Sequence, residues 1–262
     1  MHKSTLLSSL QNPRIKLLLD LQSRKRARIK QERMVVEGDQ EIAYALRSGF
    51  QLLEYYLPEG KLISESILHS EPELFHCTTN CFNHISMRGL AAGAVGVFAT
   101  TQIFEVPNKL NHVLLVENIE KPGNLGALFR SASAAGVQCI ISTGNSTDFY
   151  HPNCIRSSVG TVFLIPHFHM TNEDALVWLQ KNDLTICSTS LSGTNILFQD
   201  SIPERVVWIM GGEHNGISDF WEQHSHSQWQ IPMKSNIDSL NVSVAAALVL
   251  FETMRQRQFN RP

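Results

Sequence analysis

From Pro107 onward the sequence alternates strand-like and helix-like segments, and this limits the fold more than any other feature. His112–Glu117, Val137–Ser142, Val162–Ile165, Leu184–Thr189 and Val206–Met210 read as strands. Helical patterns separate them: one ends at Ala135 and is closed by Gly136, a short one covers His151–Gly160, and one covers Asn172–Lys181 with Asn172 as cap. A last short strand, around Trp229–Pro232, feeds a helix from about Asn241 to Gln258 that contains no proline or glycine. Such alternation argues for an α/β fold with a mostly parallel sheet. In sheets of this kind, ligands bind beyond the carboxyl ends of the strands. The loops at those ends therefore carry the functional information.

Three of these loops are rich in polar residues or glycine. The first runs from Glu117 to Arg130, with Asn124 near a helix start and Arg130 almost two turns in. A capping asparagine and a solvated surface cation are the plain alternative there. The second is Gly211-Gly212-Glu213-His214-Asn215-Gly216, where glycines allow close backbone approach and Glu213 lies just past a strand end. A simple glycine-rich turn is the alternative. The third, Ile231 to Asn241, sets Ser239 and Asn241 immediately before the terminal helix, and either can accept from the free amides of its first turn. Each loop alone is ambiguous, but the three together form a candidate site.

Upstream of Val106 the composition changes. Met34–Val36, Leu52–Leu57, Leu74–Thr78 and Ala94–Ala99 read as strands, Asp39–Arg47 as a helix closed by Gly49, and Asn80–Leu90 as weakly helical. This supports a separate small α/β domain over residues 1–104, with the second domain over 105–262. The net charge of -2 hides a strong local bias. Between Arg14 and Arg33 eight lysines and arginines face only Asp20 and Glu32, on what reads as one helix with Leu17, Leu18 and Leu21 as its apolar stripe.

Other features exclude classes of function. No secretory leader is expected at Met1, and no apolar run approaches the ~18 residues a membrane span needs. The five cysteines are odd in number and scattered, which suggests a reducing, cytoplasmic setting. Cys77 and Cys81 with His76 and His84 lack the distant second pair of a zinc site, so no metal is expected. His167, His169, His224 and His226 read as surface or loop histidines. A nicotinamide-dependent oxidoreductase is disfavoured because no G-x-G-x-x-G follows a strand.

Pro122-Gly123-Asn124-Leu125-Gly126-Ala127-Leu128-Phe129-Arg130, Gly211 to Ser218, and Ile231-Pro232-Met233 through Ser239-Leu240-Asn241-Val242-Ser243-Val244-Ala245 resemble the three signature motifs of the SpoU-type (TrmH-like) RNA ribose 2'-O-methyltransferases of the SPOUT class. Order and spacing also fit, and the resemblance covers Val106 to Arg257. His214 departs from it, standing where a glycine is usual; a locally altered backbone is expected there. Leu10 to Arg14 and Val35 to Gly38 resemble the ribosomal-protein-like substrate-binding domain that precedes many members.

The resemblance implies a deep trefoil knot in the C-terminal domain, a homodimer, and S-adenosyl-L-methionine held by backbone groups at Thr189, Gly211, Ile231 and Leu240. It makes Arg130 the residue acting on the 2'-hydroxyl, with Asn124, Glu213, Ser239 and Asn241 orienting Arg130 and the ribose. A guanidinium is always protonated, so stabilisation of the developing alkoxide suits Arg130 better than proton abstraction. Arg14, Arg24, Lys25, Arg26 and Arg28 would contact RNA. Ribosomal RNA is the first expectation for the substrate and transfer RNA the second; a non-catalytic RNA-binding protein of the same fold is the remaining alternative.

Overall fold

Uninterrupted apolar strands such as Val-Leu-Leu-Val and Val-Val-Trp-Ile-Met are the signature of a parallel sheet covered on both faces. The computed structural model describes residues 4–63, 65–102, 104–212, 216–234 and 239–259. Along the chain run β1 (Ser4–Leu7), α1 (Pro13–Ser23), α2 (Lys25–Gln31), β2 (Arg33–Glu37), α3 (Asp39–Arg47), β3 (Leu52–Pro58), α4 (Glu65–Leu68), β4 (Glu73–Cys77), α5 (Thr79–Ile85) and β5 (Val95–Ala99). Then come β6 (His112–Glu117), α6 (Pro122–Ala134), β7 (Cys139–Thr143), α7 (Pro152–Ser157), β8 (His167–His169), α8 (Asn172–Lys181) and β9 (Thr185–Thr189). The chain continues through β10 (Asn195–Ile196), β11 (Val206–Met210), α9 (Asp219–His224), β12 (Ser227–Gln230) and α10 (Val242–Phe259).

The chain divides into two compact units, residues 1–103 with 148–164, and residues 104–147 with 165–262. Residues 148–164 thus belong to the first unit, although the sequence pattern places them in the second domain. Their apolar side chains Cys154, Ile155, Val162 and Phe163 are buried, and Phe163 meets Phe50 edge-on at 5.2 Å. Arg28 binds Asp148 through two hydrogen bonds of 2.7 and 3.2 Å.

In the first unit the strand order is β1-β4-β3-β5-β2. β1, β4 and β3 are parallel, while β5 runs antiparallel to both its neighbours. Ile15, Leu18 and Leu21 of α1 pack with Phe82 and Ile85 of α5 against Val35, Tyr56 and Val97 of the sheet. β1 carries no readable signal, because three of its four residues are exposed. The basic run forms two helices, α1 and α2, broken at Arg24 where the backbone is extended.

The second unit holds a parallel sheet in the order β10-β12-β9-β11-β6-β7-β8. Ala175 and Leu179 of α8 and Trp221 of α9 pack on one face with Val113, Leu115, Ile141, Ile186, Val207 and Ile209. On the other face α10 packs against α6 and β11. There Trp208 Nε1 donates to Thr253 Oγ1 at 2.9 Å.

Two expectations about this region change. Val162–Ile165 is not a strand: Gly160, with φ of 80°, turns the chain into a 3-10 turn over Thr161–Phe163, and the strand β8 follows Pro166. His167 is not a surface residue. It is 5% exposed and its ring lies 4.6 Å from Phe104 and 5.3 Å from Phe129. Burial pushes its pKa down to about 4.

Candidate active site

Loops leaving the carboxyl ends of the adjacent strands β12, β9 and β11 line a cavity of about 430 Å³. The loop after β9 contributes Ser190 and Leu191, and that after β11 contributes Gly212, Gly216 and Ile217. The segment after β12 contributes Ile231, Met233, Ser239 and Leu240, and Val242 and Ala245 of α10 complete one wall. All four residues expected to hold a cofactor, Thr189, Gly211, Ile231 and Leu240, line this cavity, as does Ser239.

Backbone packing dictates the glycine at 211. A Cβ there would lie 2.0 Å from the carbonyl carbon of Gly216 and 2.3 Å from the nitrogen of Ile217. The loop closes on itself at this point, with Gly216 N donating to Gly212 O at 3.1 Å. A Cβ on Gly212 would meet Asn118 O at 2.8 Å. Close approach of main chain to main chain thus shapes the cavity mouth. Glu213 and His214 lie outside the described residues.

Asn241 joins the first and third motifs. Its Oδ1 accepts from Ser243 N at 2.9 Å and from Ser243 Oγ at 2.6 Å, so it, rather than Ser239, caps α10. Its Nδ2 donates to Asn124 Oδ1 at 3.3 Å. Asn124 is therefore no N-cap: α6 starts at Pro122, with Lys121 in the cap position. Arg130 lies six residues further along α6, which is roughly 120° short of two full turns. Its side chain is exposed, and it is not among the residues that line the cavity.

Glu117 emerges from the structure and not from the motifs. At the end of β6, it is 1% exposed and accepts from Ser218 N at 2.7 Å, Ser218 Oγ at 2.8 Å and Asn172 Nδ2 at 3.1 Å. Asn172 in turn accepts from Trp221 Nε1 at 3.0 Å. The helix cap expected at Asn172 is supplied instead by Thr171, whose Oγ1 accepts from Asp174 N. Glu117 thereby pins the residue that follows the cavity-lining Gly216 and Ile217. A charge ending an otherwise apolar strand was the available signal.

The five cations expected at RNA separate into two groups. Arg24, Lys25 and Arg26 are exposed at the break between α1 and α2, with Arg24 in an i,i+4 pair with Asp20 at 3.3 Å. Arg28 is not a surface cation. It is 4% exposed, held by Asp148 and the carbonyls of Leu21 and Gln22. Arg14 is engaged by Glu54 at 3.1 Å and Glu73 at 2.6 Å, and its guanidinium lies 4.6 Å from the Phe75 ring centre. All five cysteines are free and buried. Among the described residues, no group of three or more His, Cys, Asp or Glu side chains is arranged to hold a metal ion.

Comparison with known proteins bears on both units. Residues 111–251 match the SpoU rRNA Methylase family, and residues 12–96 match the MRM3-like substrate binding domain. The crystal structure of an RNA 2'-O ribose methyltransferase is similar with TM-score 0.82 and 32% identity, over 97% of this chain and 99% of that one. The AdoMet-bound rRNA methyltransferase from Sinorhizobium meliloti has TM-score 0.88 and 25% identity, over 98% and 99%. The fold is that of the SPOUT methyltransferases. In sequence, the 23S rRNA (guanosine-2'-O-)-methyltransferase RlmB of Neisseria meningitidis serogroup B is 28% identical over 79% of this chain and 88% of its own length. The corresponding protein of Escherichia coli K12 is 32% identical over 55% and 60%. The chain belongs to the SpoU rRNA methylase family.

Proposed function

We propose that this chain methylates a ribose 2'-hydroxyl of RNA, using S-adenosyl-L-methionine, and that ribosomal RNA is its substrate. The observation that carries this reading is the cavity of about 430 Å³ into which Thr189, Gly211, Ile231, Ser239 and Leu240 converge from loops far apart in sequence. Its size falls within the ~300–1,000 Å³ typical of small-molecule sites. The residues also suit the cofactor chemically. Met210, Ile217, Ile231, Leu240 and Val242 offer apolar surface for a flat base, the Gly211 cradle excludes any Cβ, and the buried Ser188 hydroxyl has no hydrogen-bond partner.

The bound cofactor supplies a methyl group on a sulfonium. Ser239 and Asn241 flank Leu240, and the Asn241–Asn124 hydrogen bond fixes α6 beside the third motif. Arg130, exposed on α6, anchors the RNA and stabilises the alkoxide that develops as the ribose loses its proton to a neighbouring phosphate or to water. By the resemblance, Glu213, which lies outside the described residues, would be the carboxylate partner of this guanidinium. Arg24, Lys25 and Arg26 supply the sequence-independent part of RNA affinity.

The knot is part of the same proposal. It is supported by a strand order in which β11 and β12 flank β9 on opposite sides. A homodimer is supported by the exposed Val244 and Phe251 of α10, which with Phe198 line a shallow groove on the helix that also walls the cavity. Buried free thiols favour a cytoplasmic setting. Among the described residues, no helix is long and apolar enough to cross a membrane.

Transfer of labelled methyl groups into ribosomal RNA tests the reading. Arg130→Ala should abolish transfer while calorimetric affinity for S-adenosylhomocysteine stays within a few-fold of wild type. Near-normal turnover of that variant would overturn the role given to Arg130. Absence of both binding and transfer in the unaltered chain would overturn the function.

A further inference from the structure

Residues 148–164 fold into the first unit although their neighbours along the chain build the second. Their helix α7 meets two other pieces of that unit. Pro152 and Arg156 of α7 line a crevice together with Gln22, near the end of α1, and with Met87 and Arg88 in the loop after α5. Arg156 and Arg88 are exposed, as are Arg24, Lys25 and Arg26, which follow Gln22 along the chain. Within residues 20–26, 86–90 and 152–157 the one acidic residue is Asp20, and it is paired with Arg24.

Each piece is held in place by polar groups that are themselves largely buried. Glu37 of β2 accepts from Met87 N at 2.9 Å, Arg88 N at 2.8 Å and Ser86 Oγ at 3.0 Å. Arg88 Nη2 donates to Glu41 Oε1, on a residue that is 3% exposed. Gln22 Nε2 donates to Ile85 O at 2.6 Å, which ties the end of α1 to the start of the loop. Arg28 joins the carbonyls of Leu21 and Gln22 to Asp148, at the head of the α7 segment. Glu37, Glu41 and Asp148 are thus spent inside the unit, and cations remain as the exposed charge. Among them stand two apolar side chains, Met87 at 51% exposure and Leu90 at 50%. Phosphate contacts call for no apolar group. Unpaired RNA bases do, because they are splayed out and stack on side chains, and a thioether adapts its shape to such a surface. A loop already fixed by Glu37 also loses little freedom when it binds.

Resting on the RNA reading above, we propose that α7 and the Ser86–Gly89 loop form one surface that grips an unpaired stretch of RNA. Arg156 binds a phosphate of that stretch, and Met87 with Leu90 takes an unstacked base. Helix α7, encoded between elements of the second unit, thereby serves substrate recognition in the first.

Fluorescence anisotropy of the full chain with two labelled RNAs tests this: a hairpin with a long unpaired loop, and its stem alone as a blunt duplex. Met87→Ser should weaken hairpin binding about tenfold, the effect of losing one stacked base, and leave duplex binding and the salt slope unchanged. Arg156→Gln should lower the slope of log affinity for the hairpin against log salt by about 1. Both side chains are exposed, so both variants should keep the wild-type thermal midpoint and affinity for S-adenosylhomocysteine. Hairpin affinity and salt slope equal to wild type in both variants would overturn the surface, as they would if it served a protein partner instead. Equal weakening of hairpin and duplex by Met87→Ser would overturn the preference for unpaired RNA. Methyl transfer into ribosomal RNA by the unaltered chain reports separately on the function: transfer with unaffected variants strikes the surface alone, whereas an unaltered chain that binds neither RNA strikes both.

Discussion

Glu117 offers a test of how the cavity is held open. Its carboxylate accepts three hydrogen bonds in a site where it is 1% exposed. Glu117→Gln changes shape very little and replaces one oxygen with an NH₂ group. If the new NH₂ faces Ser218 N, two donors oppose each other across a contact that measures 2.7 Å in the native protein. If the amide flips, Ser218 Oγ can reverse and accept, but Asn172 can accept only by giving up its bond from Trp221 Nε1. Either way one bond of the three is lost. A hydrogen bond to a buried charged group contributes about 1.5–3 kcal/mol, so local opening around Ser218 should become easier by about 2 kcal/mol. That corresponds to roughly 30-fold faster exchange of the Ser218 amide. Hydrogen–deuterium exchange resolved to residues 216–220 measures this directly. Because Gly216 and Ile217 line the cavity, affinity for S-adenosylhomocysteine should fall as well. Ser218 protection and ligand affinity both equal to wild type would refute the idea that this carboxylate holds the loop.

Four further outcomes follow from the same structure. Gly211→Ala should remove cofactor binding below calorimetric detection while the chain stays folded by circular dichroism, since its Cβ would fall 2.0 Å from the backbone of Gly216; wild-type affinity would mean that the loop has room to spare. Replacing Arg24, Lys25 and Arg26 together by glutamine should lower the slope of log affinity for RNA against log salt by up to ~3. Arg28→Ala should instead destabilise the first unit by about 3–5 kcal/mol, because it strands the Asp148 charge, and denaturant titration separates the two effects. Folded His167 takes up a proton only near pH 4, whereas an unfolded histidine titrates near ~6.5. The unfolded chain therefore binds more protons between these values, so the contribution of His167 is complete above about pH 6.5 and is lost as pH falls toward 4. The loss should be on the order of 3 kcal/mol, and His112, pushed down to about 3 by burial, acts in the same direction. A urea midpoint in His167→Phe that is as pH-dependent as the wild type would assign the effect elsewhere.

Local sequence patterns located most elements of the second unit because each has a local cause. Parallel strands buried on both faces must be apolar throughout, and helix starts and ends carry proline, hydroxyl and glycine signals. The missed elements lack such causes. β1 is an exposed edge strand, and β10 has only two residues. Val162 and Phe163 are apolar because they are buried in the first unit, and the same pattern would serve a strand. For the basic run, composition counted the charges correctly but could not say which were free. Arg28 and Arg14 are engaged by Asp148, Glu54 and Glu73, carboxylates 120, 40 and 59 positions away.

By itself the sequence determined the parallel α/β architecture and the three polar loops, since periodicity and turn chemistry are local properties, while Thr189, Gly211, Ile231, Ser239 and Leu240 were singled out through the resemblance to the family's motifs. Tertiary structure alone decided that these residues line one cavity, because β11 and β12 flank β9 on opposite sides despite their order along the chain. It also decided the Asn124–Asn241 bond, the burial of Glu117 and the unpartnered hydroxyl of Ser188. Each depends on groups far apart in the chain being brought within hydrogen-bonding distance or denied a partner, and no local pattern encodes that.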